Sequence, residues 1–565
     1  MPMRDGVRLA ADIYRLAGVS RQLPVVVMRT PYDKRSYRRA GSIAHAFAEA
    51  GYVVVVQDVR GKFASEGDYA VQRTDADDGY DTIEWAAVQP WSTGKVGTYG
   101  CSYLGEVQML TAARRPPHLA AMIPQSAGGA AGSVAGRYGY FGAFEGGAFG
   151  LSASFGWFPR AGKKTKDAPD MPAVDYASAL RTLPVVDMVR RHGGPDTEFE
   201  AYLKHPLTDA WWDGAGYISD TSHFDAPALH VNSWYDYGAQ ETLTMFELMR
   251  RNGVSERARD NQFVVMGPGP HCSAESGEPH TMVGDLDVGD ARFPFRKLYL
   301  DWFDHWLKGK DNGVERMPRV RYYSIGRGAW RSSPTWPPSG SMTVSYYLRS
   351  GGRANTRQGD GVLSREAAVR DEPPDRFTYS PADPVPSRGG SVCCTGNPKD
   401  QPGAFDQSDI EMRPDVLVYT SATLDHSTEI AGPLRAELYV SSSARDADFA
   451  VKLVDVFPDS RAFNVQDGIQ RARYREGYAT PVFMERGKTY RVAVDLHATA
   501  YVFRPGHRIR VEVSSSNFPR FDRNLNTGGR NYDETEWVVA ENTVHHAPGS
   551  ASRLLLTILP PVAAR

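Results

Sequence analysis

Residues 95–105 read Lys-Val-Gly-Thr-Tyr-Gly-Cys-Ser-Tyr-Leu-Gly, KVGTYGCSYLG. Lys95–Gly100 leads as a strand into Ser102, and Tyr103–Arg114 has helical spacing until Pro116 and Pro117 stop it. Ser102 therefore stands at a strand-to-helix junction. A nucleophilic serine on such an elbow is held in a strained conformation, so small residues are needed where the turn closes on its neighbours. Gly100 supplies one. The strict GxSxG spacing fails, because Leu104 occupies the second glycine's place and Gly105 comes one residue later. A GxS at a β–α junction is also an ordinary tight turn, so the surrounding pattern must decide.

Working outward, Leu23–Arg29 (LPVVVMR) and Tyr52–Val59 (YVVVVQDV) are continuous β-branched apolar runs, the mark of strands buried on both faces. Ser42–Ala50 between them reads as a helix ending at Gly51, and Ala76–Val88 as a second helix ended by Pro90. The alternation breaks after Gln125. Residues 128–156 are rich in Gly, Ala and aromatics, and short helices are expected over Val174–Leu183 and Val185–Arg191. It resumes with a strand at Pro227–Ser233, a helix at Gln240–Arg251, a strand at Gln262–Gly267 and a long helix at Phe293–Lys308. Alternating strands and helices predict a mostly parallel sheet with helices on both faces, here carrying a helical insertion.

Beyond about residue 335 no helix-length periodicity remains. Met342–Leu348, Ala436–Ser441, Phe449–Val456, Tyr490–Leu496 and Ile509–Ser514 are β-rich and separated by turn residues, which predicts an all-β domain, a sandwich or jelly roll. The expected layout is thus 1–128 and 219–335 for the two parts of the α/β domain, 129–218 for the cap and 336–565 for the β domain. A chain of 565 residues needs more than one core in any case.

Lys+Arg 65 against Asp+Glu 67 gives a net charge of −2, with no basic run to attract nucleic acid or an anionic membrane, so a small-molecule partner is expected. Self-association as a homodimer is left open. Four cysteines make no disulfide framework, and neither CxxC nor HExxH is present, so no metal and no organic cofactor is expected. Cys101 and Cys272 are read as buried, inert thiols. With no apolar leader at the N-terminus and no run of about 18 apolar residues, the expectation is a soluble protein of the reduced cytoplasm.

If Ser102 is a nucleophile, an acid and a base should follow it in the order Ser, Asp, His, each just past a later strand. Asp236 follows Pro227–Ser233 in VNSWYDYG, and His271 follows Gln262–Gly267 in VMGPGPHCS. Rivals fit less well. Asp58 follows a strand but precedes the serine, Asp225 precedes its strand, and His280 lies farther from a strand end. The helix beginning at Tyr103 offers that residue's amide to a developing oxyanion. Ser102, Asp236 and His271 are the expected triad of an α/β-hydrolase.

These residues belong to a longer pattern: GCSYLG at 100–105, MRDGVRLAADIY at 3–14, RTPYDKR at 29–35, QDVRGKFASEGD at 57–68, EWAAVQPWSTGKVG at 84–97, WYD at 234–236, WFDHWLKGKDNGV at 302–314, PADPVPSRGG at 381–390, DADFAVKLVDV at 446–456 and RPGHRIRVEVSSSNFPRF at 504–521. The chain resembles, over almost its whole length, the family of cocaine esterase, X-Pro dipeptidyl-peptidase and α-amino acid ester hydrolase. The resemblance implies an α/β-hydrolase domain, a helical cap and a C-terminal jelly roll. It also implies that Tyr32, in the PYDK loop, gives its hydroxyl to the oxyanion hole beside the Tyr103 amide.

One departure bears on substrate. The α-amino acid ester hydrolases carry a carboxylate pair soon after the catalytic acid and an acidic residue in the elbow. Here the first acid after Asp236 is Glu241, expected to face away, and the elbow has Leu104. Apolar cap residues Phe141, Phe144, Phe149, Phe155 and Trp157 are expected to wall the pocket, with Glu145 and Asp209 as the cap acids able to add charge. A carboxylic-ester hydrolase is favoured. The alternatives are an aminopeptidase or amidase, an acyltransferase, and, from another class, a non-catalytic glycan-binding protein with a vestigial triad.

Overall fold

The structure, a computed structural model, describes residues 1–560. Its centre is a nine-stranded sheet built from β1 (Ala11–Tyr14), β2 (Leu23–Thr30), β3 (Val53–Asp58), β4 (Ser92–Cys101), β5 (Leu119–Gln125), β6 (Ala228–Tyr235), β7 (Gln262–Pro270), β8 (Val320–Ser324) and β9 (Ala329–Ser333). The strand order is β1-β3-β2-β4-β5-β6-β7-β8-β9. Neighbours from β3 to β8 are parallel, and only the edge pairs β1–β3 and β8–β9 run antiparallel.

Every residue of β2 and β3 is buried, which explains their unbroken apolar runs. Side chains nonetheless alternate between faces, with the period of two that a strand imposes. Val25, Val27, Val53 and Val55 enter a core with Ile83, Met109 and Leu248. Val26, Met28, Val54 and Val56 enter the opposite one, with Phe47, Trp302 and Phe303. Helices Asp75–Ala87, Tyr103–Ala113 and Ala239–Asn252 cover the first face, and Ile43–Glu49 and Phe295–Lys308 the second.

The chain leaves the sheet after Gln125 and re-enters it at Ala228. The intervening cap packs Phe155, Trp157, Phe158, Met188, Phe199, Tyr202 and Trp212 into its own core. Its main helix, Leu151–Ala161, falls in a stretch that sequence patterning had left unassigned, because Gly156 and Pro159 mask its periodicity. Gly156 is there for space: a Cβ on it would lie 2.2 Å from the backbone of Thr395 in the β domain. Of the segment 174–183, only Tyr176–Ala179 is helical.

The C-terminal part is an all-β unit of eleven strands from Met342–Arg349 to Arg553–Ile558, almost wholly antiparallel. Its core, with Leu438, Val451, Val494 and Val511, runs on into Trp234, Met266 and Tyr322 of the parallel sheet. The β domain is therefore welded to the sheet at the end where β6 and β7 deliver their loops. No helix is long and apolar enough to cross a membrane among the described residues.

Candidate active site

Ser102 adopts φ 62° and ψ −131°, a combination costly for a residue with a Cβ. Two glycines make the turn. A Cβ on Gly100 would meet that of Leu104 at 2.4 Å, and one on Gly105 would meet the carbonyl oxygen of Gln125 at 2.3 Å. The irregular glycine spacing now has its reason: the helix closes against β5 at Gly105, while the Leu104 side chain lies over Gly100. The Ser102 N–H donates to Gln125 O at 3.0 Å, and the Ser102 carbonyl accepts from Gly105 and Glu106 at 2.7 and 2.8 Å. Tyr103 is the first helical residue, so its amide has no intrahelical acceptor. Its buried hydroxyl donates to Asp75 at 2.6 Å and anchors the turn.

Asp236 and His271 end β6 and β7 and meet. The His271 Nδ1–H donates to Asp236 Oδ2 at 2.6 Å, and the Gly238 N–H donates to Asp236 Oδ1 at 2.6 Å. Burial alone would raise the Asp236 pKa, but the His271 charge and these hydrogen bonds outweigh it and hold the carboxyl below its usual range. For His271 burial works downward, and the Asp236 charge and hydrogen bond reverse it, carrying the imidazole up to about 9. Its Nε2 is buried and has no hydrogen-bond partner among the described residues.

Tyr32 follows β2 and reaches the same point from the other side. Its hydroxyl accepts from Trp157 Nε1 at 3.1 Å and lies near the Ser102 side chain. The residue as a whole is 37% exposed, yet this hydroxyl end is enclosed, and burial pushes its pKa far up. It stays a neutral donor. The sequence-selected Ser102, Asp236, His271, Tyr32 and Tyr103 thus converge, and Ser102 Oγ makes no hydrogen bond to His271 Nε2 among the described residues. The rivals are occupied elsewhere: Asp58 is buried against Lys34 at 2.6 Å, Asp225 accepts from Ser255, and His280 is exposed beside Asp287.

Cys101 and Cys272 are not free thiols. They form a disulfide with Cα atoms 5.9 Å apart, joining the residue before Ser102 to the residue after His271. Patterning along the chain could not show this, because 171 residues separate them.

Ser102 opens on a cleft between the cap and the β domain. Phe141, Phe144, Trp157 and Phe158 make an apolar wall. Phe149 and Phe155, also expected there, belong to the cap core instead. Asp209 caps the turn Ala210–Ala215 and does not line the cleft. Glu241, expected to face away, does line it, paired with Arg137 at 2.8 Å, and Glu145 lines it beside His497 at 3.0 Å and Arg520 at 3.3 Å.

Three further contributions escaped sequence reading. Glu106 is fully buried, and burial lifts its carboxyl to about 8; it accepts from Gln72 at 2.6 Å and from the Tyr237 hydroxyl at 3.0 Å. The Tyr237 ring lies beside His271, with centroids 5.2 Å apart. A lone acid in the otherwise uncharged helix Tyr103–Ala113 was the signal that could have flagged Glu106. Cys393 and Cys394 enter the cleft from the β domain, and nothing local in the sequence marks them.

Comparisons with known proteins agree with this architecture. The family described as X-Pro dipeptidyl-peptidase (S15 family) matches residues 5–273, and the X-Pro dipeptidyl-peptidase C-terminal non-catalytic domain matches residues 312–555. Cocaine esterase of Rhodococcus sp. (strain MB1 Bresler) is 35% identical over 99% of this chain and 97% of its own length. Among solved structures, an aminopeptidase from a marine sediment archaeon, Thaumarchaeota archaeon, superposes with a TM-score of 0.85 at 26% identity, covering 99% of this chain and 95% of that one. An α-amino acid ester hydrolase does so with a TM-score of 0.82 at 27% identity and the same coverage.

Proposed function

Because this chain belongs to the X-Pro dipeptidyl-peptidase (S15) family, with cocaine esterase among its relatives, we propose that it cleaves carboxylic esters through an acyl-enzyme on Ser102. It is a serine hydrolase, and the reading assigns each group a role. Ser102 Oγ gives up its proton to His271 Nε2 and attacks the ester carbonyl. Asp236 holds the Nδ1–H and stabilises the imidazolium as it forms. The Tyr32 hydroxyl and the Tyr103 amide donate to the oxyanion. The imidazolium then protonates the leaving alcohol, and a water activated by the same His271 releases the acid.

The observation that carries the reading is the buried Asp236–His271 pair, joined at 2.6 Å, whose Nε2 is left without a partner. An unpaired buried polar atom costs about 1–3 kcal/mol, a cost expected where function needs that nitrogen to exchange a proton. A fluorophosphonate should label the folded protein on Ser102, located by peptide mass mapping. Labelling at another serine, or none, removes the assignment.

A second reading, hydrolysis of aminoacyl esters or amides, has one observation in its favour. Glu241 Oε2 is buried without a hydrogen-bond partner in the cleft wall. Against it, Arg137, shared with Asp495, already pairs with Glu241, so an ammonium gains less than from a free carboxylate. kcat/KM for p-nitrophenyl butyrate or phenyl benzoate should exceed that for phenylglycine methyl ester and an X-Pro anilide. The reverse order by about tenfold, more than one apolar contact supplies, selects the second reading.

The Cys101–Cys272 bond is of a kind that persists in oxidising compartments, which favours a protein working outside the reduced cytoplasm.

A further inference from the structure

We infer that His271, Cys393 and Cys394 form a binding site for a thiophilic divalent cation of the zinc type, and that the bound cation switches the hydrolase off. One ring nitrogen of His271 and the two sulfurs all lie within 4.8 Å of one another. Nδ1 is committed to Asp236, so the ligand atom is Nε2, the buried nitrogen with no partner among the described residues. His271 is already arranged as metal-binding histidines are, with its other ring N–H donated to a carboxylate that fixes the tautomer and the ring.

Adjacent residues of an extended chain point to opposite sides. Cys393 and Cys394 do not, because Cys394 sits at φ 61°, in the left-handed region that a residue with a Cβ seldom adopts. The two sulfurs consequently lie on one side of the chain, within 4.8 Å of each other. Both belong to the β domain, and both line the cleft that a diffusing ion would enter.

Metal–sulfur and metal–nitrogen distances of about 2.3 and 2.0 Å at tetrahedral angles put ligand atoms about 3.3–3.8 Å apart. Closing from 4.8 Å needs side-chain rotations of about 1 Å, not a new backbone. Two thiolates and an imidazole are a donor set suited to zinc and its soft neighbours, whereas magnesium and calcium require oxygen. Binding displaces the thiol protons to solvent and, below the raised ionisation of His271, the Nε2 proton as well, which frees the lone pair that ligates the cation. The inhibitory half rests on His271 being the base proposed above, since that lone pair can then no longer accept the Ser102 proton.

Binding and inhibition are read separately. Full-length Ser102→Ala protein, with Cys101–Cys272 intact and two free thiols by Ellman titration, is titrated with Co²⁺. Thiolate-to-cobalt charge-transfer absorption should saturate at one ion per chain and vanish on addition of Zn²⁺. Cys393→Ser/Cys394→Ser should lose the absorption. In the active protein, Zn²⁺ should inhibit and a chelator should restore the rate. The double variant, measured against its own metal-free rate, should need about a hundredfold more Zn²⁺ for equal inhibition, since even partners outside the ligand shell are worth 10–100-fold in affinity. Absence of charge-transfer absorption in Ser102→Ala overturns the site whatever the variants do. Equal Co²⁺ absorption in the double variant overturns it too. Charge-transfer binding without inhibition leaves the site standing and overturns only the switch.

Discussion

Cys101 and Cys272 are joined by a disulfide, and through it the residue preceding the nucleophile is bonded to the residue following the base. Ser102 ends β4 and His271 ends β7, with β5 and β6 lying between those strands in the sheet. Hydrogen bonds across four strands would otherwise set their separation. The covalent link sets it at one end of both loops.

Opening that link should therefore affect chemistry as well as stability. Cys101→Ala/Cys272→Ala is expected to lower stability by about 2–5 kcal/mol, the usual cost of losing a native disulfide. It should also reduce kcat by about 10–100-fold with little change in KM, because displacements near 1 Å are felt in the transition state. Urea unfolding and steady-state kinetics measure the two effects. A kcat within about twofold of the parent would show that the sheet alone positions the pair.

Tyr32→Phe deletes one hydroxyl between Ser102 and Trp157. Loss of a single oxyanion donor costs about 10²–10³ in kcat. Ester turnover measures it, and activity within about threefold of the parent would leave the oxyanion to backbone amides. Trp157→Phe, which removes the donor to Tyr32 and trims the apolar wall while leaving the Tyr32 hydroxyl, should give a smaller loss in kcat.

The third prediction concerns pH. His271 must be neutral to accept a proton, so kcat/KM should rise with pH through an ionisation lying above the ordinary histidine value, toward about 9. Stability runs in the opposite sense. A folded-state pKa raised above the unfolded value, about 6.5, means the protonated pair stabilises the fold fully below the unfolded pKa. That contribution is lost as pH climbs through about 9. Asp236→Asn should move the kinetic ionisation down and flatten the stability change. A kcat/KM profile flat down to pH 5 would count against a histidine base.

Glu106 tests positioning at a distance. Its carboxyl makes no hydrogen bond to Ser102 or His271, but holds the Tyr237 hydroxyl whose ring lies beside the imidazole, and its charge adds to those raising the His271 pKa. Glu106→Gln keeps an acceptor for Tyr237 and removes the charge. The kcat/KM ionisation should shift to lower pH, while kcat on the plateau changes by less than about tenfold. An unmoved profile would reduce Glu106 to packing.

How much of this was legible beforehand follows from the range of the forces involved. The buried strands β2 and β3, the elbow at Ser102 and the placement of Asp236 and His271 at later strand ends were readable, because apolar periodicity and turn chemistry act over a few residues. Helix Leu151–Ala161 was not readable, because Gly156 and Pro159 lower its local propensity and packing against the cap core and Thr395 supplies what propensity lacks. The inward direction of Glu241 is set by Arg137, a residue of the cap. Cys101 finds Cys272, and Cys393 and Cys394 reach His271, only because distant segments fold together. By itself the sequence determined the layers of the fold and which residues stand at its chemical positions. Only the tertiary structure decided the walls of the cleft, the pairing of the cysteines and the inward turn of Glu241, since these depend on contacts between segments 100 or more residues apart, which no local pattern encodes.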